Sequence, residues 1–238
     1  GGHATLLAAR SAKVELLKRA SEVLEVDSPE LVAENERIFV KGTPARSLSF
    51  GEVIEQTGGK PITERSLYVS TGESFDPVTR YGHTAPTYSF AAHAAEVEVD
   101  QETGEVAVKR VACAHDLGRA INPLGAEGQI EGGAAQSIGF SLMEEIKKEG
   151  GTVVNNNLEG YLILTSMDAP ECDPIFVETM DPLGPFGGKG VAETAINPTA
   201  GAVANAVYNA VNARIHTLPI TPERVLSAMK QPDAGQVG

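Results

Sequence analysis

A loop rich in glycine and proline leads to a single carboxylate in this sequence. Residues 181–190 contain four glycines and two prolines, and Glu193 follows just before a predicted helix. Glycine lets a backbone approach another group closely and adopt positive φ, whereas proline stiffens the chain around it. Such a loop could hold one acid in a fixed place for proton transfer, although a structural loop between two elements has the same composition.

A second unusual segment is a predicted helix with many glycines. Asn122-Pro123 is typical of a helix start, with an N-cap followed by proline at the first helical position. Five glycines follow, at Gly125, Gly128, Gly132, Gly133 and Gly139. Glycine costs up to about 1 kcal/mol relative to alanine inside a helix, so something is expected to press against this backbone. Close helix packing would explain the glycines, and so would a large ligand beside Gln129.

Other motifs for chemistry are weak. No two of the five histidines have the spacing of a metal site on one helix face. His115 and Asp116 could form an acid–base pair, but neighbours in a strand point to opposite faces. Cys113 shares a face with His115 and is predicted to be a buried structural thiol. Lys189 is followed by Gly190 rather than Ser or Thr, so the loop is not a P-loop, and neither a Gly-x-Gly-x-x-Gly nor a Gly-x-Ser-x-Gly motif is present.

Composition narrows the class of protein. The 238 residues carry a net charge of −13, which argues against a nucleic acid or an anionic membrane as partner. No apolar run approaches the roughly 20 residues of a membrane span. Two cysteines, Cys113 and Cys172, are too few for an iron–sulfur cluster and favour a reducing compartment such as the cytoplasm. The sequence begins at Gly1 without a methionine, so we expect a processed chain or a piece of a longer one.

Hydrophobic periodicity and capping signals predict an α+β fold of mixed helices and β-hairpins, without regular βαβ units. Helices are predicted over 4–26, from Ser28-Pro29, over 49–56, after Asn122-Pro123, after Asn197-Pro198 and from Thr221-Pro222 to about Lys230. Strands are predicted over 37–40, 67–70, 95–99, 105–114, 161–164 and 175–180. Residues 95–114 form the clearest signal, a β-hairpin that turns at 100–104. Residues 72–88 are predicted to form a long ordered loop. Possible subdomains are 1–90 and 91–230, with a tail at 231–238.

Two segments together resemble a known family. Residues 116–118, 121–123 and 128–133 resemble the glutamine-bearing motif of the molybdenum-binding subunit of the xanthine oxidase family. Residues 184–193 resemble the C-terminal Lys-Gly-x-x-Glu motif of that family, and the hairpin at 95–114 sits where the family has one. Thr194 departs from the pattern, because the family often has proline after the glutamate. The family comprises molybdenum hydroxylases that include xanthine dehydrogenases, aldehyde oxidoreductases and nicotinate dehydrogenases.

The resemblance implies a fold, a cofactor and roles for residues. The chain would be the C-terminal part of a molybdopterin-binding domain. Glu193 would be the general base that takes the proton from the hydroxyl ligand of molybdenum. The metal would be held by the pterin dithiolene and by no protein side chain. The residues expected to contact the cofactor are Gln129, Gly128, Lys189 and Gly190.

The resemblance also implies what lies outside the chain. The other cofactor-binding and substrate-binding motifs of the family lie upstream, so a partner would supply the remaining half of the molybdopterin-binding site. Iron–sulfur clusters and FAD would reside on an iron–sulfur subunit and a flavin subunit. The cofactor would be molybdopterin, as a mononucleotide or a cytosine dinucleotide, and the substrate a small heteroaromatic, an aldehyde or an aromatic CoA thioester. Alone the chain would be inactive. A non-catalytic scaffold or assembly subunit with the family fold, or an unrelated ligand-binding protein, remains an alternative.

Overall fold

The chain consists of two compact units, Gly1–Pro86 and a second unit that begins at Thr87. The computed structural model describes residues 1–69 and 71–230. The predicted tail at 231–238 and position 70 of the predicted strand 67–70 lie outside the described residues. Each unit has its own hydrophobic core.

The first unit packs two helices against an antiparallel sheet. Its elements are α1 (Gly2–Leu24), β1 (Leu31–Glu34), β2 (Arg37–Val40), β3 (Thr43–Ser49) and α2 (Phe50–Gln56). The strands have the order β1-β2-β3. The side chains buried between helices and sheet are Ala20, Leu24, Leu31, Ile38 and Val53. The irregular segment at 58–69, after α2, is mostly exposed.

Three predictions in the first unit are confirmed and two are wrong. The helix predicted over 4–26 is α1. The strand at 37–40 is β2, and α2 begins with a capping box in which Ser49 and Glu52 bond each other's backbone N–H groups. The helix predicted from Ser28 is only a 3₁₀ turn, Ser28–Glu30, because the apolar residues after it pair with β2 as β1. The strand predicted at 67–70 is absent over residues 67–69, where Leu67 is 82% exposed and therefore has no core to pack against.

Over residues 87–230, the second unit combines a mixed sheet with three helices. Its elements are β4 (Ala91–Val99), β5 (Val106–Asp116), α3 (Pro123–Leu142), β6 (Lys148–Glu149), β7 (Thr152–Val153), β8 (Glu171–Val177), α4 (Thr199–Val211) and α5 (Pro222–Met229). The main sheet has the order β4-β5-β8, and β6 and β7 form a separate small hairpin. Helices α3 and α4 contribute Ile130, Ile138, Val203 and Val207 to the core over β5. The sheet and α3 carry the residues that the sequence singled out.

The predicted hairpin is confirmed as β4-β5, which pair antiparallel. One parallel crossover was not predicted: β5 and β8 pair in parallel, and α3 lies between them in the chain. The long connection, which includes β6-β7, hides this crossover in the sequence. The strand predicted at 161–164 is a turn and irregular chain, and the last predicted strand, 175–180, begins earlier, at Glu171, and ends at Val177.

Caps account for the helix starts of this unit. The Asn122 side chain accepts a hydrogen bond from the N–H of Gly125, and that of Thr221 from the N–H of Arg224, as the sequence predicts. Asn197 does not cap α4, contrary to prediction, because a turn comes first and Pro198 occupies the N-cap position. None of the helices over 1–69 and 71–230 has the length and apolarity to cross a bilayer.

Candidate functional site

The glycine-rich loop is fastened to the end of strand β5. An isolated antiparallel bridge joins Gly118 to Gly188, and the N–H of Lys189 donates to the carbonyl oxygen of Leu117 at 2.8 Å. Gly118 has φ of +67°, and a Cβ there would collide with the carbonyl oxygen of Gly187. Only glycine satisfies both conditions. The loop therefore extends the sheet by one short backbone pairing, and this pairing fixes the position of the loop next to β5.

A buried ion pair strengthens this attachment. The Lys189 ammonium lies 2.6 Å from Asp116 Oδ2, with the two side chains 10% and 8% exposed. Asp116 Oδ1 also accepts hydrogen bonds from the Thr179 hydroxyl at 2.7 Å and from the N–H of Gly118. Burial alone would raise the pKa of Asp116, but the hydrogen bonds from Lys189, Thr179 and Gly118 together lower it. Lys189 also donates to the carbonyl of Tyr88 at 3.0 Å, so its ammonium ties three segments together.

Glu193 is placed by close packing of its own turn against α3. It begins the 3₁₀ turn Glu193–Ala195, and Ala195 is fully buried. A Cβ built on Gly133 of α3 would lie 2.5 Å from the Ala195 Cβ, closer than real side chains approach. The absence of a side chain at Gly133 is therefore what allows the turn to sit directly on the helix. Glu193 itself is exposed at the edge of this contact.

An open hollow of about 320 Å³ lies beside Glu193 on the surface of α3. It is lined by Gly128, Gln129, Gly132, Gly133, Gln136, Ala192, Glu193 and Ile196. The structure thus brings Glu193 together with Gln129 and Gly128, which lie about 60 residues earlier in the sequence. A neighbouring hollow of about 260 Å³ includes both Gln129 and Lys189 in its wall. Gln129 therefore lines both hollows.

The helix glycines fall into two groups. Contacts within the chain explain three of them: a Cβ at Gly125 would press on the capping Asn122, one at Gly133 on Ala195, and one at Gly139 on Glu144. By contrast, a Cβ at Gly128 or Gly132 would have no atom of the described residues within 4 Å. Both positions face the hollow beside Glu193. Packing thus accounts for part of the glycine pattern and leaves bare backbone open at these two positions.

The remaining predicted site residue is Gly190. It belongs to neither hollow, and its carbonyl oxygen accepts a hydrogen bond from the Ser89 hydroxyl at 3.1 Å. Lys189 has both its backbone N–H and its ammonium engaged within the chain. The cofactor contacts predicted for Lys189 and Gly190 therefore stay predictions, whereas their observed contacts hold the loop in place.

Two features of the site were missed at the level of sequence. Gln136 lines the hollow with Glu193, and it lies on the face of α3 that carries Gln129 and Gly132. Its position seven residues after Gln129 is a helical repeat that would have indicated this. The pairing of Asp116 with Lys189 carries no such signal, because 73 residues separate the two side chains.

His115 and Asp116 belong to separate networks, as expected for neighbours in a strand. His115 is 1% exposed, and its Nε2 lies 2.7 Å from Nε2 of His93 on β4. His93 Nδ1 lies 2.8 Å from the hydroxyl of the buried Thr199 at the start of α4. Cys113 is fully buried, as predicted. Among the described residues, His115 Nδ1 has no hydrogen-bond partner, which favours the tautomer whose Nε2–H donates to His93.

We expect this histidine pair to make stability fall in mild acid. Burial, and then the neighbouring His115, lower the pKa of His93 to about 4, and burial also lowers the pKa of His115. The unfolded chain, with histidine pKa values near 6.5, therefore binds more protons than the folded chain between about pH 6.5 and 4. The histidine pair makes its full contribution to the free energy of unfolding above that window. The contribution is lost as the pH falls through the window, and the loss is roughly 2 kcal/mol for a half-buried group.

Denaturant unfolding at a series of pH values measures this loss. His93→Gln should flatten the slope between pH 6.5 and 4, whereas His83→Gln, at an exposed loop position, should leave it unchanged. Equal slopes in His93→Gln and the unsubstituted protein would contradict the assignment.

Comparison with known proteins identifies the family to which this chain belongs. Residues 1–170 match the family model of the molybdopterin cofactor-binding domain. The chain is 36% identical over 217 residues to a probable xanthine dehydrogenase subunit of Bacillus subtilis, covering 90% of this chain and 28% of that protein. It is 33% identical over 228 residues to the gamma subunit of the 6-hydroxypseudooxynicotine dehydrogenase complex of Paenarthrobacter nicotinovorans, with coverages of 92% and 28%.

Comparison with solved structures gives the same family. Quinoline 2-oxidoreductase from Pseudomonas putida 86 superposes with a TM-score of 0.76 at 32% identity, covering 94% of this chain and 29% of that one. The chain therefore belongs to the family of molybdopterin cofactor-binding domains. It belongs to the xanthine oxidase family of molybdenum proteins, as the two sequence motifs indicated, and the α+β fold is confirmed. It spans a little more than a quarter of the length of these relatives.

Proposed function

We propose that this chain supplies one wall of the active site of a molybdenum hydroxylase, with Glu193 as the general base. The observation that supports this most directly is the hollow that Glu193 shares with Gln129 and Gly128. A base has to lie within hydrogen-bond reach of the proton that it removes, and it needs a rigid support. The packing of Ala195 on Gly133 provides that support.

The residues of the hollow fit a pterin cofactor. Gly128 and Gly132 offer bare backbone with open space above it, where a flat ring system could lie against the helix. The side-chain amide of Gln129 offers two donors and one acceptor to the polar edge of such a ring. The described residues contain no cluster of His, Cys, Asp or Glu that could hold a metal ion. As the family resemblance implies, the metal would be held by the sulfur ligands of the cofactor.

The bound molybdenum cofactor would supply an oxygen nucleophile and two-electron redox chemistry. Glu193 would take the proton of that oxygen, and the side-chain amide of Gln129 would hold and orient the cofactor. The loop that carries Lys189 and Gly190 would hold Glu193 in position beside the hollow. The substrate class is a small heteroaromatic, an aldehyde or an aromatic CoA thioester, in the oxidative or the reductive direction.

The proposal needs partners, since the hollow is open on one side. Chain outside these 238 residues would supply the remaining half of the molybdopterin-binding site, either in one polypeptide or as a separate subunit. An iron–sulfur subunit and a flavin subunit would carry electrons away, and the assembly would work in the cytoplasm. The cofactor would be molybdopterin, with or without a cytosine dinucleotide extension.

Purification of the native assembly tests this function. Molybdenum near one atom per chain, with a pterin recovered on denaturation, is the expected result. A stable native complex that contains neither would contradict the proposal and would support a scaffold or assembly subunit instead.

A glycine substitution tests the cofactor wall separately. Gly128→Ala adds a methyl group where the chain itself leaves open space, so we expect helix propensity to raise stability by about 0.5–1 kcal/mol. We expect the same methyl group to obstruct the pterin and to lower the molybdenum content several-fold. Molybdenum analysis and a denaturation midpoint measure the two effects on one preparation.

Gly201→Ala is the matched control. Gly201 is also an exposed helical glycine with open space around it, but it lies on α4 and does not line the hollow. It should gain similar stability and keep its molybdenum. Full molybdenum content in Gly128→Ala would remove Gly128 from the cofactor site.

A further inference from the structure

The two cysteines of the sequence lie side by side on neighbouring parallel strands. Cys113 of β5 and Cys172 of β8 have their sulfur atoms 3.7 Å apart. The strand register pairs Val111 with Cys172, so Cys113 is the diagonal neighbour two residues further along β5. Neither cysteine is used by the proposed function, and this inference does not depend on it.

The two thiols differ in access to solvent. Cys113 is fully buried, whereas Cys172 is only partly buried. Cys172 lines an open hollow of about 440 Å³ between the start of β8 and helix α3. Glu131, Gly132 and Ala135 of α3 form the opposite wall. A small oxidant can therefore reach Cys172 before it reaches Cys113.

The two thiols also differ in acidity. The hydrogen bond that the two thiols share lowers the pKa of Cys172. The same hydrogen bond, followed by burial, raises the pKa of Cys113. The thiolate is the reactive form of cysteine. The more accessible thiol, Cys172, is thus the nucleophile, and the buried Cys113 holds a proton beside it.

We propose that Cys113 and Cys172 form a redox-reactive dithiol that hydrogen peroxide oxidises to a disulfide. The Cys172 thiolate attacks one peroxide oxygen, the O–O bond breaks, and hydroxide leaves and is protonated to water. This first step leaves a sulfenic acid on Cys172. The Cys113 sulfur then attacks the Cys172 sulfur, the S–O bond breaks, and the departing hydroxide takes the Cys113 proton. Two thiols lose two electrons, and one peroxide becomes two waters.

Formation of this disulfide would change the hollow between the start of β8 and α3. A disulfide has a sulfur–sulfur distance of about 2.05 Å, so the two sulfurs must approach from 3.7 Å. Cys172 is the second residue of β8, next to the exposed turn that precedes the strand, so the strand start is the part that can move. Gly132 lines both the Cys172 hollow and the hollow beside Glu193. Oxidation would therefore alter a hollow that shares Gly132 of α3 with the hollow beside Glu193.

Peroxide treatment of the native assembly, followed by denaturation and alkylation, tests the proposal. The chain should lose both alkylatable thiols together, and peptide mass spectrometry should show one fragment that joins Cys113 to Cys172. A reducing thiol should restore both. No other cysteine lies within these 238 residues, so a peptide that joins Cys113 to Cys172 identifies the bond directly.

Single substitutions separate the two roles. Cys113→Ser should stop at a sulfenic acid on Cys172 that a dimedone probe captures, whereas Cys172→Ser should leave Cys113 reduced at the same peroxide dose. Two results would overturn the proposal. One is full alkylation of both thiols after peroxide, and the other is over-oxidation of Cys172 while Cys113 stays free.

Discussion

Glu193→Gln is expected to lower turnover of the reconstituted molybdenum enzyme by about 10²–10⁴-fold while leaving cofactor content unchanged. Glutamine has the same shape as glutamate but cannot accept the proton. Its amide can still occupy the edge of the hollow, because Glu193 is exposed there and the turn is held by Ala195. We therefore expect kcat to fall and molybdenum and pterin content to stay at the wild-type level.

The matched control is Glu102→Gln. Glu102 is an exposed carboxylate in the turn between β4 and β5, and it lines neither hollow of the candidate site. It should lose the same charge without loss of turnover. Normal kcat in Glu193→Gln would disprove the general base, whereas loss of the cofactor would assign Glu193 a structural role instead.

Lys189→Met is expected to destabilise the chain by about 3–5 kcal/mol, the usual cost of leaving one member of a buried ion pair alone. Asp116 is 7% exposed, so its charge would remain away from water with only the Thr179 hydroxyl and the Gly118 N–H to stabilise it. The loop would also lose its bond to the carbonyl of Tyr88. Denaturant unfolding measures the change, and turnover should fall with it because the loop leads to Glu193.

An exposed ion pair in the same unit serves as control. Lys109 lies 2.6 Å from Glu98, but the two side chains are 52% and 71% exposed. Lys109→Met should therefore cost less than about 1 kcal/mol. Asp116→Asn combined with Lys189→Met should recover part of the lost stability, since it removes the unpaired charge. Equal costs for the two lysines would show that burial of the Lys189 pair is unimportant.

Local signals in the sequence were sufficient for several elements. The alternation in residues 95–99 predicted β4, and the Asn122-Pro123 and Thr221-Pro222 pairs predicted the starts of α3 and α5. These signals depend on residues within a few positions of one another, so they can be recognised without knowledge of the fold. Strand β1 and the parallel pairing of β5 with β8 could not be predicted in this way, because each depends on a partner strand elsewhere in the chain.

The sequence by itself determined the family, through two motifs in the right order, and it identified Glu193 and Gln129 as candidates. Only the tertiary structure decided that these two side chains line one hollow, since α3 and the loop meet through Gly133 and Ala195. The tertiary structure also separated packing glycines from open ones. The loop itself is rigid for a reason that its composition did not reveal. A buried ion pair and a short backbone bridge hold it to β5, and both join residues that are about 70 positions apart.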